Sequence, residues 1–275
     1  MKAETFLKKH IVVLDLVTII VGLLFLLLGS VVFSGSGLIN TILLNVVGRI
    51  FPSILFFLLI RKLHLGFANI GGRKSLIQGC IFGVIVVGLF VSLQILFCRD
   101  MMIIDQTVTL VQILVVIFMD FCVGLFEESM LRGVVFQSMQ MRWQQTRYGV
   151  LMAAVVSSLM FGCLHLVNLI QSPHLINTTV SQVCYATFMG IFLCGVYYKT
   201  RCIWVPVIIH ALIDLTSDLL SVLCSKYASQ LNVDIAMSEA VLQTVLILPM
   251  AFLGIWCILS AVKEERVGDS QPQMQ

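Results

Sequence analysis

Two adjacent carboxylates and a guanidinium, Glu127, Glu128 and Arg132, interrupt a chain that is otherwise strongly apolar, and His165, His210 and Asp214 follow them in separate apolar runs. One Asp, Lys or Arg near the middle of a membrane helix costs about 2.5 to 3.5 kcal/mol on insertion scales, so ionisable residues retained there point to function. The chemistry this set can do is hydrolysis by activated water. A carboxylate in a low-dielectric pocket can act as general base toward water and then as acid toward a leaving amine, a role open to Glu127 or Glu128. A histidine opposite it can share the proton or orient the water. A second histidine with a carboxylate one turn on can serve the developing oxyanion. Arg132 would hold one glutamate ionised and leave its neighbour to titrate.

Residues four apart share a helix face, so Glu128 lies over Arg132, Phe161 over His165, and His210 over Asp214. Each of three helices thus turns one polar stripe inward. Because lipid-facing surfaces must stay apolar, the stripes are most readily satisfied by meeting in one interior, water-accessible cavity.

The elements that must position them follow from composition. The chain has 275 residues, of which 59% are hydrophobic and 11% charged, and its mean hydropathy is +1.04. Soluble domains carry about 25% charged residues, so the sequence predicts an all-α, multi-pass integral membrane protein, a bundle of about eight transmembrane helices with the catalytic core in helices four to seven. Spans are expected near 11–33, 38–60, 76–98, 107–126, 149–170, 180–198, 203–223 and 240–262. Residues 1–106 then form three N-terminal spans, 107–224 the catalytic four-helix core, and 225–275 the last span with a polar tail. The run 11–33 is too long for a signal-peptide core and is read as a retained span. Arg49 and Pro52 make the second span a candidate for two half-segments, with Arg49 paired to a carboxylate such as Asp15 or Asp120.

Lys2, Lys8, Lys9, Arg61, Lys62, Arg73, Lys74, Arg142, Arg147, Lys199, Arg201, Lys263 and Arg266 fall at every second connection or terminus. The intervening connections hold Arg99 and Lys226 against Asp100, Asp105, Asp234 and Glu239. This asymmetry predicts both termini in the cytoplasm, and the plasma membrane is the expected setting. No basic run long enough for nucleic acid is present. The nine cysteines contain no CxxC pair and read as buried hydrophobes.

Glu-Glu-x-x-x-Arg at 127–132, Phe-x-x-x-His at 161–165 and His-x-x-x-Asp at 210–214 resemble the three motifs of the CPBP family of intramembrane proteases. That group holds type II CAAX prenyl endopeptidases and bacteriocin-processing or self-immunity proteins. The resemblance implies that Glu127 activates water with His165, that His210 and Asp214 stabilise the oxyanion, and that Glu128 and Arg132 complete the site. It further implies a cavity open toward the cytoplasm, no cofactor and no metal, and a peptide or lipidated protein as substrate. The third motif often ends in Asn where this chain has Asp214. The resemblance covers roughly 120–218.

Blander readings exist for each residue. Glu127 and Glu128 could end a helix in solvent, because 137–147 is polar, and either histidine alone could be a satisfied core residue. Asp218 reads as a polar wall, Asn168 as support for His165, and Phe161 as packing. His10, His64 and His174 fall at membrane edges. Two other functions compete: a zinc protease built on His165, His210 and a carboxylate, although HExxH spacing is missing, and a noncatalytic immunity or scaffold protein that binds a ligand in the same cavity.

Overall fold

A computed structural model describes residues 2–33, 37–66, 72–143, 146 and 148–269. It is 87% helical, without strands among the described residues, and eight of its helices are long and apolar enough to cross a membrane. They are α1 (His10–Val32), α2 (Leu38–Lys62), α3 (Arg73–Met101), α4 (Leu110–Trp143), α5 (Gly149–Gln171), α6 (Ile176–Thr200), α7 (Trp204–Leu223) and α8 (Met237–Glu265). In a bilayer every backbone polar group must be satisfied within the segment, so apolar runs of this length become helices.

The order of burial inverts the rule for soluble proteins. Two thirds of the apolar window of α6 is buried, against at most 39% for any other span, yet α6 has the lowest mean hydropathy of the eight, 1.5. A helix surrounded by protein does not face lipid and so can carry Thr179, Ser181, Thr187 and Thr200 in buried positions. It packs along α5 and α8, α7 packs along α4 and α3, and α1 and α2 close the other side of α4.

Glycines set the closest approaches. A Cβ at Gly124 of α4 would stand 2.7 Å from the Val207 carbonyl oxygen of α7, and one at Gly195 of α6 would meet the Gly254 backbone of α8 at 2.3 Å. Absence of a side chain lets these backbones touch.

The second span is continuous, with the tension of its sequence taken up locally. Val46–Ile50 forms a π-helical turn directly before Pro52, which lies in the first turn of the regular helix that follows. A wide turn accommodates a residue that lacks a backbone donor. Arg49 donates to Asn45 Oδ1 at 2.6 Å rather than to the expected Asp15 or Asp120, and it lines the same cavity as Glu127. Asp15 instead accepts from Ser138 at 2.5 Å.

The fourth span also departs from expectation. It does not end near 126 but runs to Trp143, through a second π-helical stretch at Ser129–Phe136. Buried Ser138, bonded to Asp15 and to the Val135 carbonyl, shows how polar residues continue inside the bundle. None of the nine cysteines is in a disulfide, and five are buried.

Outside the spans, Asp234 caps α6 from across a loop. Its carboxylate accepts from the Asn177 and Thr178 backbone N–H groups and from the Thr178 hydroxyl. These donors hold its carboxyl below the ordinary carboxylate range. Its contribution is present above the unfolded value and is lost as pH falls through the lowered folded value. The Asp234→Asn variant therefore melts lower than the parent near neutral pH in detergent, and the difference closes on acidification below the carboxylate range. At the α4–α7 contact, Gly124→Ala loses about 1 to 3 kcal/mol by overpacking, read as a lowered midpoint in thermal unfolding.

Candidate active site

On a regular helix successive residues point about 100° apart, so an adjacent pair of glutamates cannot share one environment. Glu128 is 0% exposed and faces α7, while the Glu127 side chain retains 25% exposure. Glu128 Oε1 accepts from Arg132 Nη1 at 2.8 Å and lies 2.7 Å from His210 Nδ1. Arg132, 1% exposed, also lays its guanidinium over the Phe161 ring at 4.7 Å. A buried carboxylate is thus held by a cation on its own helix and an imidazole on the next.

That contact fixes the chemistry of His210. With an ionised carboxylate as acceptor, Nδ1 carries the proton, and Nε2 is turned toward Glu127 Oε2 at 3.6 Å and Asp214 Oδ2 at 3.5 Å. Both distances exceed a direct hydrogen bond of good geometry and suit a bridging hydroxyl or water. His165 is fixed in a complementary way. Its Nδ1 is 3.0 Å from the Phe161 carbonyl oxygen, which can only accept, so Nδ1 is the donor and the Nε2 lone pair of the neutral ring is free to take a proton. The Phe161 ring stands edge-on to both imidazoles, at 5.0 Å from His165 and 5.9 Å from His210.

Two cavities meet here. One of about 280 Å³ is lined by Glu127, His165, His210 and Asp214 together with Asn168, Gln182 and Tyr185. The other, of about 380 Å³, is bounded mainly by leucines and other apolar side chains of α1, α2, α4 and α5, with Arg49 among them. Glu127, Phe161, His165 and Asn168 belong to both walls, and Glu128 to neither.

The structure therefore brings Glu127, Glu128, Arg132, His210 and Asp214 into one connected set, and places His165 on the same cavity walls. The imidazole within ion-pair distance of Glu127 is that of His210, while His165 shares both cavity walls with Glu127. The cause is the close α4–α7 approach at Gly124, one turn before the glutamates. Asp218 and buried Asp120 lie further along the same two helices.

Sequence reasoning passed over Gln182 and Tyr185. Asn168 donates to Gln182 Oε1 at 2.8 Å, and Tyr185 lines the same cavity beside them. The available signal was two polar residues three apart in the least apolar span. Phe161 also does more than pack, since its carbonyl selects the His165 tautomer and its ring bears Arg132.

Removing one partner from a buried ion pair leaves a charge uncompensated, at a cost of about 3 to 5 kcal/mol. Arg132→Met is therefore expected to lower the unfolding midpoint in detergent by a corresponding amount. Arg132→Lys restores only part of it, because an ammonium that bonds Glu128 cannot also lay a planar guanidinium over Phe161.

No curated protein and no solved structure matches the chain. Residues 109–216 match the family model described as type II CAAX prenyl endopeptidase Rce1-like, a stretch that contains all three motifs and every residue of the site. Over that segment the chain is similar to the Rce1-like type II CAAX prenyl endopeptidases.

Proposed function

We propose that the protein is an intramembrane endopeptidase in which Glu127 activates water to hydrolyse a peptide bond of a membrane-associated, prenylated or small peptide precursor. The observation that carries the reading is the division of labour between the glutamates: Glu128 is locked between Arg132 and His210, while Glu127 alone reaches both cavities.

The residues support a balanced hydrolysis. Water on the shared wall gives a proton to Glu127, with the His165 Nε2 lone pair as second acceptor, and the resulting hydroxide attacks the amide carbon. Negative charge then develops on the carbonyl oxygen. In its imidazolium form His210 carries a proton on Nε2 as well as on Nδ1; the Nε2–H faces that space, with Glu128 behind the ring and Asp214 beside it, and donates to the oxyanion. Collapse of the tetrahedral species breaks the C–N bond, and the proton on Glu127 passes to the leaving amine. Each group returns to its starting state.

An activity of this kind belongs to a protein integral in the membrane, with both termini in the cytoplasm by the distribution of Lys and Arg, and most simply in the plasma membrane. The family supports a protease of CAAX type. The choice between prenylated proteins and bacteriocin-like or signalling precursors rests on the shape of the two cavities. Among the described residues no three His, Cys, Asp or Glu side chains converge as a metal-ligand set, so no observation favours the zinc reading over the glutamate one.

General acid–base groups contribute roughly 10² to 10⁴ in rate. Glu127→Ala is expected to lower cleavage by that factor while inserting and melting as the parent does. Comparative mass spectrometry of membrane and secreted peptides from cells carrying each form measures it. Products that persist at the parental rate in the Glu127→Ala cells overturn the reading.

A further inference from the structure

The eight spans alternate in direction, so each residue's place along its helix says which end of the bundle it is nearer. Arg61, Lys62, Arg73, Lys74, Arg142, Lys199, Arg201 and Lys263 mark one end. Asp100, Asp105, Asp234 and Glu239, with only Arg99 and Lys226 against them, mark the other. By the positive-inside rule the first end is cytoplasmic.

The walls of the two site cavities run toward the second end. Ser30 lies in the last turn of α1, Gln171 is the last residue of α5, Asn168 is one turn before it, and Gln182 lies in the second turn of α6. All four are at the end that carries the acidic connections. A third cavity, of about 510 Å³, lies at the basic end between His10, Asp15, Met139, Arg142 and Trp143, and shares no wall residue with the other two.

We infer that the catalytic chamber is entered from the extracytoplasmic side, past the Asn168–Gln182 amide pair, by an extended polypeptide presented at the outer face of the membrane. This rests on the proposed hydrolase reading and narrows it. It also departs from the cytoplasmic opening that the motif resemblance implies. The substrate class becomes a peptide segment already exported or left in the outer leaflet. The chemistry of the rim fits such a chain. Asn168 and Gln182 offer amide donors and acceptors that an extended backbone can use in place of water, and the adjoining leucine-rich cavity receives an apolar side chain or an attached lipid. The reaction that supplies this substrate is a translocation or secretion step, and the hydrolysis consumes its product.

Side-specific labelling tests this without requiring a known substrate. Gln171→Cys, Glu127→Cys and Arg142→Cys are each exposed to a charged, membrane-impermeant methanethiosulfonate, added either to intact spheroplasts or to inverted membrane vesicles, with the unsubstituted chain as blank. Glu127→Cys and Gln171→Cys are expected to react several-fold faster in spheroplasts, and Arg142→Cys several-fold faster in inverted vesicles. The inference is overturned if Glu127→Cys reacts faster in inverted vesicles, equally on both sides, or on neither. Labelling does not depend on turnover, so its failure is distinct from failure of the hydrolase reading, which the Glu127→Ala comparison decides by itself.

Discussion

A carboxylate cannot remain ionised in the interior of a lipid-facing bundle unless charged or donating groups are brought to it, and this requirement at Glu128 organises the site. Desolvation of an ion is costly, and the Coulombic return in low dielectric offsets it only when the geometry is good. Here one oxygen takes both Arg132 at 2.8 Å and His210 at 2.7 Å, from the same helix and from its neighbour. The net effect on stability is small beside the effect on uniqueness: any sliding of α4 against α7 would break the Glu128–His210 contact and leave two buried groups short of a partner. The same contact turns the His210 ring so that its second nitrogen faces the cavity. Structure and chemistry are set by one bond.

Close backbone approach makes that bond possible. Gly124 lets α4 lie directly on α7, and a bulkier residue would meet the Val207 carbonyl. Immediately after Glu128 the helix widens into a π-helical stretch, a feature that recurs at functional sites because it shifts the direction of the side chains that follow. The outcome is an asymmetric pair. Glu128 points into packed protein and Glu127 into open space, although they are neighbours in sequence. Local helix geometry separates them, and tertiary packing then decides which of the two is held.

The parts of this arrangement that depend on local periodicity were legible in the sequence. Lipid demands long apolar helices, so the eight spans could be read from hydropathy, and the pairs four residues apart do sit together, as Glu128 with Arg132, Phe161 with His165, and His210 with Asp214. The parts that depend on packing were not. Whether Glu127 or Glu128 faces solvent turns on where α7 lies. The end of the fourth span was misplaced because Arg132, Gln137 and Ser138 look like a helix leaving the membrane, whereas in the bundle they are buried. Arg49 bonds Asn45 on its own helix, a contact that competes with any distant carboxylate because it needs no tertiary alignment. Gln182 and Tyr185 were hidden for the opposite reason: the central helix carries several polar residues, and sequence does not show which of them face the cavity.

On the proposed reading, the meeting of two unlike cavities at Glu127 bears on how a hydrolytic site could exist inside a membrane. Water must reach the base, yet the field that strengthens its interactions with the developing charge depends on keeping the surroundings apolar. A single wide aqueous chamber would screen those interactions, and a dry one would lack the reactant. In this protein the polar groups are gathered on one side, along His210, Asp214, Asn168 and Gln182, and the apolar wall on the other, with Glu127, Phe161 and His165 forming the boundary. Phe161 is central to that boundary because its ring excludes water from the face of Arg132 while its carbonyl orients the His165 imidazole. On that reading a substrate lying across the boundary would have its amide beside the polar groups and its apolar portion in the leucine-lined space, so that burying the one would hold the other beside the water.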